Sequence, residues 1–139
     1  NDGVEVIFAC GGAVGFSVMA AAEASGAKVI GVDVDQSGES DTVITSAMKG
    51  LQASVYDCVK AFYDGEFPGG QHLVFTAEND GVGLPMSTSK FNTFSQADYD
   101  AIYAKLASNS ITIVNDAGSE NGSPGSVDMG LSAVTVTEI

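Results

Sequence analysis

Residues 4–36 read VEVIFACGGAVGFSVMAAAEASGAKVIGVDVDQ, and the order of features within them decides the fold. An apolar run, Val4 to Cys10, passes into glycines at 11, 12 and 15. Phe16–Ser25 is rich in Ala and Met, which favour helix, and Gly26 suits a helix C-cap. A second apolar run, Lys28 to Val34, ends in acid. Near-continuous apolar runs of this kind predict strands buried on both faces of a parallel sheet. In such sheets ligands sit beyond the carboxyl ends of the strands. A glycine turn at that end lets backbone N–H groups approach a ligand closely. An acid at the end of the next strand can accept hydrogen bonds from hydroxyl groups. The βαβ unit therefore points to a small-molecule site for a hydroxyl-bearing ligand, such as a sugar or nucleoside.

The remainder continues the alternation of strand and helix. Thr42–Thr45 reads as a short strand. Leu51–Asp64 reads as a helix ended by Gly65, with Leu51, Val55, Val59 and Phe62 forming a core stripe. After the turn at Phe67-Pro-Gly-Gly, His72–Glu78 reads as a strand and Asn79–Pro85 as a glycine-broken loop. Ser95 opens a further helix, with Ser95 and Asp98 in capping-box spacing and Tyr99, Ile102, Tyr103 and Leu106 on its apolar face. Ile111–Val114 reads as a short strand, 115–130 as a long loop, and Ala133–Ile139 as a final strand. The expected class is α/β with a mainly parallel sheet.

The chain has 139 residues, a formal net charge of −13, five lysines, one histidine and no arginine. That balance argues against nucleic acid as a partner, because binding it requires cations that displace counterions. It also argues against an enzyme that clamps phosphate, since bidentate phosphate recognition uses Arg. Cys10 and Cys58 are expected to be buried thiols rather than a metal pair, with a bridge between them left open. No segment is long enough to span a membrane, and no signal peptide is visible. Asn1 stands only a few residues before an apolar strand, so the chain is expected to be a portion of something longer.

Several residues are candidates for the site. A dinucleotide fingerprint would occupy positions 10, 12 and 15, but Cys10 replaces its first glycine. Gly11, Gly12 and Gly15 can equally serve only a tight strand-to-helix turn, and that reading comes first. Asp33 and Asp35 are two apart, so on a regular strand they share a face; they form either a solvated strand end or a pair facing the cleft. Lys49, just after the third strand, would project from the same rim as Asp33. Phe16 could stack on a planar base or fill core. His72 has no Ser or Cys motif nearby, no catalytic set emerges, and no metal or cofactor is expected.

Three segments taken together resemble a known family. VIFACGGAVGFSVMAAAEASGAKVIGVDVDQS is followed by VITSAMKGLQASVYDCVKAFYDGEFPGG and then by the turn Asp80-Gly81-Val82-Gly83-Leu84. The motifs GVDxDQ, TSxxK and GVGL, in this order, resemble the basic membrane protein family. These are substrate-binding lipoproteins of ABC importers, similar to the purine nucleoside receptor group. The resemblance covers roughly residues 4–84. It implies a periplasmic-binding-protein type I fold with two α/β lobes, a nucleoside held in the cleft between them, and no enzymatic activity.

The resemblance further implies that the turn at Gly11, Gly12 and Gly15 lines the cleft and that Phe16 lies where the family places a base-stacking aromatic. Asp33 is implied to bind the ribose hydroxyls and Lys49 to reach the sugar. The implied ligand is a nucleoside, a purine favoured over a pyrimidine, and the implied receiver is a membrane permease. The implied location is extracytoplasmic, through a lipidated N-terminus that this chain lacks. Residues 1–139 would be the C-terminal portion of the two-lobe protein. Residues 1–38 would lie in the C-terminal lobe, and those from about 40 to 68 would cross back toward the other lobe. A missing N-terminal half, or a second copy of the chain, is then an expected partner. The competing expectation from the 10–35 unit is a nucleotide-dependent oxidoreductase domain.

Overall fold

A computed structural model of the chain describes residues 3–111 and 113. A compact unit spans Asn1–Ser108, and all elements below belong to it. The readings beyond it, a strand at 111–114, a loop at 115–130 and a strand at 133–139, lie wholly or largely outside the described residues.

The elements in chain order are β1 (Val6–Phe8), α1 (Val14–Ser25), β2 (Lys28–Asp33), β3 (Val43–Lys49), α2 (Leu51–Asp64), β4 (Val82–Gly83) and α3 (Gln96–Ala107). The four strands form one sheet in the order β1-β2-β3-β4. β1 and β3 run parallel to β2, and β4 runs antiparallel to β3. The mainly parallel α/β class is as expected. The sheet is continuous across position 40, with β2 and β3 paired on either side of it. Ile44 is an extra residue in β3, since Val29 pairs with Val43 and Ile30 with Thr45. Its carbonyl accepts the Lys90 N–H at 2.7 Å, which ties the later chain to the sheet.

α1 covers one face. Its Met19 and Ala22 pack with Ala9, Ala27, Val29 and Val43, a core of small side chains that lets the helix lie close to the sheet. Gly26 ends α1 in the left-handed conformation, φ 75°, and its N–H caps the Ala22 carbonyl. α2 begins and ends where the helical period places it. Gly65, φ 78°, closes it with bonds to the Ala61 and Phe62 carbonyls. α3 carries the expected capping box: Ser95 Oγ accepts from the Asp98 N–H, and the Asp98 carboxylate accepts from the Ser95 N–H.

Four expectations are corrected. Among the described residues, β1 is not a central strand but a three-residue strand at the edge of the sheet, with Val6 and Phe8 exposed. The stripe Leu51, Val55, Val59 and Phe62 forms as a stripe but not as core, because no residue of α2 is buried. No strand forms over His72–Glu78. Instead, Thr76 caps a 3-10 turn at Ala77–Asn79 through reciprocal bonds with Asn79. The supposed loop Asn79–Pro85 contains β4. Among the described residues, no helix is long and apolar enough to cross a membrane.

Candidate functional site

The carboxyl ends of β1, β2 and β3 open onto a cleft of about 360 Å³. Its walls are Phe8 from β1, Cys10, Gly11 and Gly12 from the β1–α1 turn, Val32 and Asp33 from β2, Ala47, Met48 and Lys49 from β3, and Val82 from β4. Four of the five site residues expected from the sequence, Gly11, Gly12, Asp33 and Lys49, are thereby brought together. Phe16 is not. It sits on the first turn of α1, 55% exposed, outside the residues that line this cavity. It fills no core.

The glycine turn is built by close contacts. A Cβ on Gly11 would fall 2.5 Å from Val14 Cγ1, and Gly12 has φ 59°. The first turn of α1 is tight, since Gly15 and Phe16 donate to the Gly12 and Ala13 carbonyls at 3.0 and 3.3 Å. Ala13, at the N-cap, supplies no side-chain acceptor, and the Gly15 and Phe16 amides are taken up by backbone carbonyls of the turn. The positive end of the helix still favours electronegative ligand atoms. Gly15, by contrast, stands in the helix with no heavy atom near its missing Cβ.

Asp33 and Lys49 form an ion pair, Nζ to Oδ1 2.6 Å, at the mouth of the cleft. Adjacent strand ends bring them there: Asp33 pairs with Met48, and Lys49 is the next residue of β3. The hydrogen bond to the Asp33 carboxylate, and then its charge, hold the Lys49 ammonium above its ordinary pKa. Both side chains stay partly exposed, 42% for Asp33 and 65% for Lys49, so both can exchange partners with a ligand. Asp33 has φ 70°, and the Val34 N–H reaches back to the Val32 carbonyl at 2.8 Å. This is a γ-turn of the rare, strained kind centred on Asp33. Holding a residue with a Cβ in this region costs about 1–3 kcal/mol and is found at sites where strain serves a purpose.

The reversal at Asp33 corrects the expectation that Asp33 and Asp35 share a face. The strand ends, and Asp35 turns away from the cleft. It accepts from the Ser37 N–H at 3.0 Å and the Thr88 hydroxyl at 2.7 Å. These two bonds hold its carboxyl below the ordinary value. Cys10 is corrected too. β1 ends before it, so it lies exposed in the turn, and Cys10 and Cys58 are both free thiols. Among the described residues, no group of three or more His, Cys, Asp or Glu could hold a metal ion.

The three motifs meet in space. In GVDxDQ, the Gln36 Oε1 accepts the Val32 N–H at 2.9 Å, and the Gln36 N–H donates to Ser46 Oγ at 3.0 Å. In TSxxK, Thr45 shares a hydrogen bond with the Ser89 hydroxyl at 2.7 Å, Ser46 is fully buried, and Lys49 meets Asp33. In GVGL, the Gly81 carbonyl accepts the Gly50 N–H at 2.8 Å, and a Cβ on Gly81 would strike the backbone at Phe75 and Thr76. Tyr103 donates its hydroxyl to the Val82 carbonyl at 3.1 Å, and Tyr99 receives the Leu84 N–H at 3.3 Å. Sequence reasoning missed Phe8, Met48 and Val82 as cleft walls. Phe8 had a signal: it precedes the glycines on the face opposite Ile7.

A sheet of this topology, with a charged pair and a glycine turn at its carboxyl edge, makes this an α/β unit with a cleft at the strand ends. Residues 1–118 match the model of the Bmp family, described as ABC transporter substrate-binding protein PnrA-like, and the chain belongs to that family. Its fold is of the periplasmic-binding-protein type. Basic membrane protein D of Borreliella burgdorferi is 34% identical over 119 residues, which cover 83% of this chain and 33% of that protein. The ABC transporter nucleoside-binding protein BmpA of Lactococcus lactis subsp. cremoris is 31% identical over 127 residues, covering 76% of this chain and 36% of that protein. The chain thus spans about a third of the length of these relatives. A solved structure described as a transcriptional activator of the comK gene from Bacillus halodurans superposes with a TM-score of 0.58 at 20% identity. It covers 76% of this chain and 36% of that one, a likeness of fold.

Proposed function

We propose that this chain supplies one wall of the ligand cleft of an ABC importer's substrate-binding protein, which captures a nucleoside and delivers it to a membrane permease without chemical change. The observation that carries the reading is the Asp33–Lys49 pair facing a largely apolar cleft. A ribose offers vicinal hydroxyls that can donate to Asp33 and accept from Lys49. A nucleobase offers an apolar face for Phe8, Met48 and Val82, and Phe16, exposed at the start of α1 but outside the cleft lining, would have to reach the base from beyond that cavity. The positive N-terminus of α1 beside the glycine turn suits ligand oxygens, and the lack of arginine fits an unphosphorylated ligand. The name of the Lactococcus relative, a nucleoside-binding protein, supports the same class. A purine is favoured.

The second wall belongs to the rest of the protein. The uncovered apolar face of α2, Leu51, Val55, Val59 and Phe62, is the surface that would pack there. It would carry the crossing of the chain between lobes. The protein would act outside the cytoplasm, tethered by a lipid at its own N-terminus. Calorimetric titration of the full protein with inosine and, separately, with NAD(H) tests the reading. Heat of binding with inosine alone supports it. Binding of NAD(H) but not inosine would favour the oxidoreductase alternative.

A further inference from the structure

The strained turn at Asp33 needs something to hold it, and the same residue grips it on both sides. Gln36 lies three residues on, half-buried, and does not line the cleft. Its side-chain oxygen accepts the N–H of Val32, the residue before Asp33. Its own N–H donates to Ser46 Oγ, on β3 and fully buried. The loop after Asp33 is thereby fastened both to the strand it leaves and to the neighbouring strand. Gly31 makes room for this arrangement. A Cβ there would stand 2.7 Å from both Gln36 Oε1 and Ser46 Oγ. Without these bonds, the turn would rest on the γ-turn bond from Val34 N–H to the Val32 carbonyl and on the anchoring of Asp35 by Ser37 and Thr88, against the preference of an aspartate for extended strand. An extended Asp33 would point its carboxylate elsewhere, away from Lys49.

We infer that Gln36 is a positioning residue, which holds Asp33 in its reversed turn and so sets the aim of the carboxylate at ligand hydroxyls. In its ligand this inference rests on the nucleoside reading. Gln36 touches no ligand; it acts through Asp33. Its contribution should therefore appear only with ligands whose hydroxyls Asp33 binds, and should vanish where Asp33 has no partner.

The test uses the full protein with Gln36→Met, which keeps the length of the side chain and removes the acceptor. Gln36→Glu, which keeps an acceptor oxygen in that place, is the conservative control. Inosine and 2′,3′-dideoxyinosine are titrated into each. Losing the aim of one charge-assisted hydrogen bond should weaken inosine binding by about 10-fold in Gln36→Met. The dideoxy analogue should bind wild type and Gln36→Met alike, and Gln36→Glu should recover most of the inosine affinity. Equal losses for both ligands, or no loss for inosine, overturn the inference. The HN–Hα coupling of Asp33 in NMR reads its φ without any ligand. It should move in Gln36→Met and stay in Gln36→Glu. If wild type takes up no nucleoside, the nucleoside reading fails. The coupling then decides the positioning claim alone: an unmoved Asp33 refutes it, and a moved one sustains it.

Discussion

Replacing Asp33 by glycine should separate binding from stability. Asp33 sits at φ 70°, where glycine is at ease, so relief of backbone strain favours Asp33→Gly by about 1 kcal/mol or more. Against this, the added freedom of the unfolded chain costs about 0.4–1 kcal/mol. The lost ion pair with Lys49 is well exposed and screened by solvent, so its loss counts for little. These terms nearly cancel, so net stability should change by no more than about 1 kcal/mol. For a full protein about three times the length of this chain, that is a shift in Tm of no more than about 2–4 °C. Binding has no such compensation. A charge-assisted hydrogen bond is worth about 1.5–3 kcal/mol, so nucleoside affinity should fall roughly 10- to 150-fold, as it should in Asp33→Ala. Thermal melts and calorimetric titration of the full protein measure both quantities. Undiminished affinity would remove the carboxylate from the site, and a much larger fall in Tm would make Asp33 a structural residue.

Other expectations follow from the same geometry. Phe16→Ala should weaken nucleoside binding and leave the melting temperature nearly unchanged, since Phe16 is half exposed; a large loss of stability at normal affinity would contradict its stacking role. Gly31→Ala should destabilise by about 1–3 kcal/mol in denaturant unfolding, because its Cβ would press on Gln36 and Ser46; a neutral result would show that the Gln36 loop is free to move. The Ser37 N–H and then the Thr88 hydroxyl lower the pKa of Asp35, so its stabilising effect is complete above about pH 4 and lost as pH falls through the lowered folded value. Thr88→Val should raise that value toward an ordinary carboxylate in an NMR titration, and an unchanged titration would exclude the Thr88 bond. The isolated chain should bury the α2 face against a second polypeptide or another copy of itself, over an interface of at least about 1,000 Å². Light scattering that shows a folded, soluble monomer of 14.1 kDa would sink that expectation.

What was legible in the sequence had a local cause. α1, α2 and α3 could be placed because glycine ends the first two and the Ser95–Asp98 box opens the third. The convergence of Gly11, Gly12, Asp33 and Lys49 follows from parallel strands ending on one edge, which topology alone dictates. The failures are tertiary. Val6 and Phe8 read as buried because an apolar run shows that a strand needs cover, not what covers it, and the same holds for the stripe on α2. The alternation rule put Asp35 beside Asp33, but the left-handed turn at Asp33 ends the strand between them. His72–Glu78 has strand-like composition, yet Thr76 and Asn79 bond each other and curl the backbone. β4 is two residues in a glycine-rich stretch, too short for any period, and it exists because Met48 and Lys49 offer it a partner. Gln36 stood in a quoted motif with no role, since a side chain that bonds the backbone four residues back leaves no mark in the pattern.

The central claim is that a ribose binds at Asp33 and Lys49, and a crystal structure of the full protein soaked with inosine tests it most directly. The account predicts sugar hydroxyl oxygens about 2.5–2.7 Å from the Asp33 carboxylate, with Lys49 Nζ turned to the same sugar and the base between Phe8 and Phe16. Inosine bound instead in the apolar groove between β4 and α3, lined by Leu84, Tyr99 and Leu106, with the Asp33–Lys49 pair undisturbed, would contradict it.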